Sequence, residues 1–219
     1  MDAPGPQALA RTSVVIPTLN EGASIGQVLD QLPKGLLEVI VVDGNSKDQT
    51  QEISRSKGAR VVVEPRKGYG RAYKTGFASA RGDFIATLDG DMTYPAEEVG
   101  KYVDLLLSDG LDFITCDRLS LLRKEAMSGK HRLGNFALST TSRVLFRVPV
   151  KDSQSGMWVF RREVLKELTL TSDGMPFSEE IKVEAFRARP GKCREVPIDY
   201  RVRVGVPVLS SWKDGVANL

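Results

Sequence analysis

The chain has 219 residues, 41% hydrophobic and 27% charged, with a formal net charge of +3. That is ordinary globular composition, enough for one α/β domain or a domain with a subdomain, and the small charge gives no argument for a nucleic-acid partner. Cys116 and Cys193 form neither a metal motif nor a disulfide framework, and no stretch reaches the ~18–20 apolar residues that span a bilayer.

Residues 1–11 lack the apolar core of a signal peptide and read as a flexible tail. Ser13 to Pro17 is the first strand, with Pro17 expected to stop its ladder. Thr18-Leu19-Asn20-Glu21-Gly22 is the loop at its carboxyl end, and Ser24 is placed to cap a helix running to about Leu32. Leu37 to Val42 is the second strand and Asp43-Gly44-Asn45-Ser46 its loop; a helix from Asp48 to Lys57 closes at Gly58. Arg60 to Glu64 is the third strand, Arg66-Lys67-Gly68-Tyr69-Gly70 its loop, and Arg71 to Ala80 a helix. Phe84 to Leu88 is a short apolar strand ending in Asp89-Gly90-Asp91. Alternating strands and helices imply a mainly parallel central sheet with helices on both faces. The distinctive residues all fall at strand carboxyl ends, so these loops are expected to line one site.

After Asp91 the pattern changes, dividing a half at 12–95 from a half at 96–219. Pro95 opens a helix, and Leu111 to Cys116 is a strand followed by Asp117-Arg118. Residues 119–130 read as a polar, mobile loop. From Arg118 to Lys151 there are eight Lys/Arg against one acid, Glu125, a balance suited to anionic ligands or an anionic surface. Within it, apolar residues from Arg132 to Arg147 recur at helical spacing. Asp152 to Gly156 is a loop, Met157 to Phe160 a strand, Phe177 to Ala188 a helix carrying Glu179 and Glu180, and Glu195 to Tyr200 the last strand before Arg201 and Arg203.

Asp89 and Asp91, spaced i and i+2, point to one side if the backbone stays extended, and two carboxylates suit Mg²⁺ or Mn²⁺ with a substrate phosphate completing the shell. Asp-Gly-Asp is equally good turn chemistry. Asp43 is placed to accept a sugar or base N–H, or to make an Asx-turn. Lys67 and Gly68, with Arg66 and Gly70, could cradle a phosphate at a helix start. No Gly-x-Gly-x-x-Gly follows the first strand and no Gly-Lys-Ser/Thr occurs. His131 is the only histidine, and no Gly-x-Ser-x-Gly accompanies it.

Val15-Ile16-Pro17-Thr18-Leu19-Asn20-Glu21, Val41-Val42-Asp43-Gly44-Asn45-Ser46, Gly68-x-Gly70-x-Ala72 and Asp89-Gly90-Asp91 resemble the successive motifs of family 2 glycosyltransferases. Asp152-Ser153-Gln154-Ser155-Gly156, Phe177-Ser178-Glu179-Glu180 and Glu195-Val196-Pro197-Ile198-Asp199-Tyr200-Arg201 resemble the polyprenyl-phosphate (dolichol-phosphate) sugar synthase branch. The resemblance implies a GT-A fold, a nucleotide-diphosphate sugar donor (UDP or GDP), a divalent cation, Mg or Mn, and a hexose passed to a polyprenyl phosphate with inversion. It places Pro17, Leu19, Glu21 and Asp43 around the base and ribose and Asp89 and Asp91 at the metal and diphosphate; Lys67, Gly68 and Gly90 complete the nucleotide-sugar-binding candidates. Arg118, Arg132 and Arg203 become the acceptor-phosphate cations. Leu19, Thr93 and Val208 depart from the Tyr, Gln and Lys that related chains tend to carry.

An acceptor phosphate is already ionised near neutral pH and needs cations rather than a strong base, which makes Asp91 and Arg132 the catalytic candidates. A hydroxyl acceptor would require a carboxylate base, and Glu179 or Glu180 would be it. Beside these stand a non-catalytic nucleotide-sugar-binding module and a sugar nucleotidyltransferase; the intact Asp pair counts against the first, the absent Gly-rich loop after the first strand against the second. The expected location is cytoplasmic, peripheral at a membrane through the basic segment.

Overall fold

The computed structural model of the chain describes residues 5–121, 138–141, 143 and 145–205. Strands β1 (Thr12–Thr18), β2 (Glu38–Asp43), β3 (Arg60–Val63), β4 (Phe84–Thr87), β5 (Phe113–Asp117), β6 (Trp158–Arg161) and β7 (Cys193–Pro197) form one sheet in the order β3-β2-β1-β4-β6-β5-β7. All pairings are parallel except those of β6, which runs against both β4 and β5. The mainly parallel sheet read from the sequence is therefore present, with one reversed strand inside it.

Period-2 alternation sends neighbouring side chains to opposite faces. Val14, Ile16, Val41, Phe84 and Ala86 face helices α2 (Ile25–Gln31) and α5 (Val99–Ser108), meeting Ile25, Val28, Val99, Val103 and Leu106. α3 (Thr50–Ser56) adds Ile53 to that layer. Val15, Ile40, Val42, Ile85, Phe113, Trp158 and Phe160 face α4 (Tyr69–Ser79) and α6 (Phe177–Ala188). There Tyr73, Phe77, Trp158 and Phe177 pack with ring centroids 4.9–6.2 Å apart, Tyr73 stacked on Phe177 and the other pairs tilted. Each such ring contributes on the order of 2–3 kcal/mol of burial, plus its aromatic contacts.

Several boundaries differ from the sequence reading. The flexible tail does not extend to residue 11: Pro6–Leu9 form a short helix, α1, with Ala8 and Leu9 buried and Leu9 O accepting the Leu37 N–H at 3.1 Å. Pro17 does not end β1. Pairing with β4 stops at Val15, but pairing with β2 runs on to Thr18 opposite Asp43. The missing N–H of Pro17 is tolerated where β1 has lost its neighbour on one side. Ser24 makes no side-chain cap, since its hydroxyl donates to Gly90 O at 2.7 Å instead. Pro95 leads into a 3₁₀ turn, Ala96–Glu98, before α5. Of the segment expected as a helix from Arg132, residues 138–141, 143, 145 and 146 are helical. His131, Arg132, Val208 and most of the basic loop lie outside the described residues.

Candidate active site

The strand order reverses between β1 and β4, and the loops leaving their carboxyl ends meet there, where open α/β sheets bind ligands. The β1 and β2 loops are tied together. The Asn20 N–H donates to Ser46 Oγ at 2.8 Å, Lys47 N–H to Asn20 Oδ1 at 2.8 Å, and Glu21 N–H to Thr50 Oγ1 at 2.9 Å. Asp43 is fully buried in this knot. Its carboxylate accepts from Ser46 N–H (2.9 Å), Ser46 Oγ (2.5 Å) and Gln51 Nε2 (2.7 Å). The turn, one of the two uses read for Asp43, is present in this geometry. Leu19 packs beside Gly44 and, 38% exposed, offers the edge an apolar surface.

Beyond β4 the chain turns through Asp89-Gly90-Asp91-Met92, with Met92 at φ 68°. Tyr69 Oη donates to Asp89 Oδ1 at 3.2 Å. Asp91 Oδ1 accepts from Thr93 N–H at 3.1 Å and Thr93 Oγ1 at 2.6 Å, and its Oδ2 from Arg203 Nη1 at 2.6 Å. Arg203 also donates to Glu21 Oε1, so one guanidinium bridges the β1 and β4 loops. Two backbone bonds lay residues 201–204 on this turn: Arg201 N–H to Thr93 O at 2.9 Å and Val204 N–H to Asp91 O at 3.0 Å. Burial, then the charge of Asp91, push the Asp89 carboxyl up to about 7. Burial also raises Glu21, with Arg203 opposing it.

Asp89 makes no ion pair among the described residues, and its ionised form is penalised by burial and by a second carboxylate. A hard divalent cation would relieve that penalty, so Asp89 and Asp91 fit Mg²⁺ or Mn²⁺. Among the described residues no third acid, His or Cys completes a cluster, which leaves phosphate oxygens and water to fill the shell.

The other wall comes from the second half. Because β6 is antiparallel, it is the loop before it, 152–156, that reaches the carboxyl edge. Arg118, just past β5, donates to Asp152 through Nε at 2.7 Å and Nη2 at 2.9 Å and lies over the Tyr200 ring at 5.4 Å. Burial would raise Asp152, but Arg118 outweighs it and holds the carboxyl below its ordinary range. Arg118 is thus part of a buried pair close enough to act electrostatically on Asp89. Gly156 is the floor. Its N–H donates to Tyr94 Oη at 2.7 Å, its carbonyl accepts from Thr87 Oγ1 at 2.8 Å and Tyr73 Oη at 3.2 Å, and a Cβ there would overlap the Tyr69 hydroxyl and come within 3.3 Å of Asp89.

The two glutamates part company. Glu180 accepts from Thr171 N–H (2.9 Å), Thr171 Oγ1 (2.6 Å) and Ser172 N–H (3.0 Å), clamping the loop before α6. These bonds engage the carboxylate that the sequence offered as a base for a hydroxyl acceptor. Glu179 faces Gln154, whose Nε2 is 3.5 Å from its carboxylate. The glycine cradle is corrected. Gly70 and Arg71 donate their N–H to Gly174 O (3.2 Å) and Asp173 O (3.0 Å), and a Cβ on Gly68 would strike Asp173 O. This α4 start is closed by the chain's own carbonyls, and Arg66 pairs with Glu64 at 2.6 Å. Lys67 is exposed and stands outside this packing. Glu21, Asp89, Gly90, Asp91, Arg118 and Arg203 are brought together, and Pro17 lies on β1 opposite Val42; Arg132 lies outside the described residues.

Sequence reasoning missed Tyr69, Tyr73, Tyr94 and Gly156 as the mounting of Asp89. A tyrosine in each flanking motif was the only signal.

A doubly wound sheet of this order, with paired carboxylates at its switch point, is the GT-A architecture of glycosyltransferases. The chain belongs to glycosyl transferase family 2, whose model matches residues 13–169. It is 36% identical over 94% of its length to a dolichyl-phosphate hexose transferase of Haloferax volcanii, covering 89% of that protein. It is equally identical, over 93% of its length, to the low-salt glycan biosynthesis hexosyltransferase Agl6 of the same organism, but spans only 51% of it. In fold it is similar to glucosyl-3-phosphoglycerate synthase of Mycobacterium tuberculosis. One such structure, with phosphoglyceric acid, has a TM-score of 0.74 and 24% identity over 93% of this chain and 76% of that one. Another holds Mn²⁺, UDP-glucose and phosphoglyceric acid, at a TM-score of 0.73 with 24% identity over 93% and 75%.

Proposed function

We propose that this glycosyltransferase moves a hexose from a nucleotide-diphosphate sugar to a polyprenyl phosphate with the help of a divalent cation. The observation that carries the reading is the Asp89–Asp91 pair at the sheet's switch point with Arg118 and Arg203 on either side: anions for a cation, cations for phosphates. The likeness to a dolichyl-phosphate hexose transferase over nearly the whole of both chains supports the acceptor. The Mn²⁺ and UDP-glucose held by a fold neighbour support the donor and the metal.

In the reaction an acceptor phosphate oxygen attacks the anomeric carbon from the face opposite the donor diphosphate. A carbon–oxygen bond forms, the bond to the diphosphate breaks, and the nucleoside diphosphate leaves with the electron pair. Asp89 and Asp91 would hold the cation, which supplies Lewis-acid neutralisation of the leaving diphosphate. Tyr69 and Thr93 aim the two carboxylates. With Asp91 holding a cation, Arg203 would keep Glu21 as its partner and could turn its Asp91-facing nitrogen to phosphate. Glu21, Pro17 and Leu19 shape the nucleoside end.

Exposed Leu145 and Phe146, with the Arg187 guanidinium 5.3 Å from the Phe146 ring, support docking at an anionic membrane surface. Among the described residues no helix is long and apolar enough to cross one. A second reading, a hydroxyl acceptor, draws on Glu179 beside Gln154.

The test is transfer across a panel of UDP- and GDP-hexoses, with and without a polyprenyl phosphate, in Mn²⁺, Mg²⁺ or chelator. Cation-dependent product only with the lipid phosphate is expected. Transfer to soluble hydroxyl acceptors alone would sink the reading.

A further inference from the structure

Lys182 lies on α6 with 1% of its surface exposed. Its Nζ donates to the main-chain oxygen of Asp152 at 2.8 Å. The charged and titratable groups around it are Asp152 on the loop before β6, Arg118 after β5, Glu195 on β7, Cys116 on β5 and Glu179 on its own helix. Burial pulls its pKa down to about 7, against Asp152 and Glu195. Taking an ammonium this far from water costs several kcal/mol, and well-packed apolar residues often replace buried ions without loss of stability. Phe177, Ile181 and Ala185 of the same helix are buried and apolar, while Lys182 is buried beside charged and polar groups.

What the lysine holds is informative. The Asp152 peptide is gripped from three sides. Its carboxylate takes three hydrogen bonds from Arg118, two from the guanidinium and one from the backbone N–H; its N–H and that of Lys151 donate to Glu195 at 2.8–3.0 Å; and its carbonyl takes Lys182. From this anchor the chain runs directly through Gln154, which faces Glu179, to Gly156, which touches the mounting of Asp89.

We propose that Lys182 is a positioning residue for transfer. By holding the Asp152 carbonyl it sets loop 152–156 and, through the Asp152 carboxylate, the guanidinium of Arg118 on the acceptor side. This rests on the acceptor reading above. Lys182 touches none of the donor-side groups named there and holds the Asp152 end of the loop, so its loss acts more strongly on the acceptor than on donor affinity, which it reaches only through Gly156.

The experiment compares wild type with Lys182→Met, which fills the space without a donor. Three quantities are read well below the melting temperature: nucleoside-diphosphate affinity in Mn²⁺ by calorimetry, transfer kinetics with varied polyprenyl phosphate, and hydrogen exchange of the 151–156 amides. Expected are an acceptor KM raised on the order of tenfold, nucleotide affinity changed by much less than that, and faster exchange in that loop. Unchanged exchange and KM overturn the proposal. Nucleotide affinity falling in step with melting temperature also overturns it, because that is what a purely structural lysine would give. If Lys182→Met does not fold, Glu195→Ala, which releases the same peptide from its half-buried side, decides on the same three readouts. If wild type transfers nothing to polyprenyl phosphate, the acceptor reading fails on its own, and the exchange arm alone decides whether Lys182 sets the loop.

Discussion

At the residue scale, Asp91 and the two glutamates separate the possible chemistries. Asp91→Asn keeps the shape but halves the carboxylate pair and leaves Arg203 with Glu21 alone. Nucleoside-diphosphate binding in Mn²⁺ or Mg²⁺ is expected to fall at least about tenfold by calorimetry, since charge-assisted contacts are among the stronger polar interactions. Unchanged affinity would remove Asp91 from the cation site. Glu180→Gln is expected to turn over normally and to lose about 1 kcal/mol in urea denaturation, because the clamp on Thr171 and Ser172 weakens without opening the site. Glu179→Gln also keeps substantial activity if the nucleophile is a phosphate. A rate loss of roughly 10²–10⁴ in the folded variant, with donor binding intact, would move the reading to a hydroxyl acceptor.

At the element scale, two loops owe their courses to glycines. Gly68 sits at φ 137° where a Cβ would strike the Asp173 carbonyl, so the turn into α4 and the loop before α6 pack backbone to backbone. Gly68→Ala is expected to destabilise by roughly 2–3 kcal/mol, from strain at that φ and from prising the loop off. A melting temperature equal to wild type would refute the packing role. The motif glycine was legible in the sequence, but its use was misread: a glycine that lets a phosphate approach and one that lets a distant carbonyl approach look the same along the chain. Gly156 was likewise legible only as part of a loop. Its contact with Tyr69 and Asp89 depends on the reversal of β6, which alternation of strands and helices does not announce.

At the scale of the whole molecule, the sheet has a chemical edge and a structural edge. At the amino edge Glu38 is buried and binds Ser13 Oγ (2.8 Å), the Arg81 N–H (2.8 Å), Arg60 (2.9 Å) and Arg81 (3.1 Å). Burial opposes ionisation there, but these hydrogen bonds outweigh it and lower the carboxyl to about 2. A depressed carboxyl stabilises the fold above its unfolded pKa, and the gain is lost as pH falls from the ordinary range of 4.5 through about 2. With both arginines partly exposed, about 2 kcal/mol at neutral pH is a discounted figure. Glu38→Gln is therefore expected to be less stable than wild type at pH 7, to converge with it near pH 2, and to leave transfer unchanged because the site lies at the opposite edge. A stability gap that stays constant with pH would show that the carboxylate is not the source.

By itself the sequence determined the alternation of strands and helices, the gathering of its unusual residues at strand carboxyl ends, and the Asp89–Asp91 pair. These depend on short-range periodicity and turn chemistry, which neighbouring residues carry between them. Only the tertiary structure decided that Asp43 and Glu180 belong to loop knots, that Arg203 bridges Glu21 and Asp91 across 182 and 112 positions, that Arg118 binds Asp152 34 positions away, and that a lysine is buried behind that pair. A charged side chain reads the same in sequence whether it meets water, substrate or a partner from another strand, and the partner is chosen by how the sheet brings distant loops to one edge.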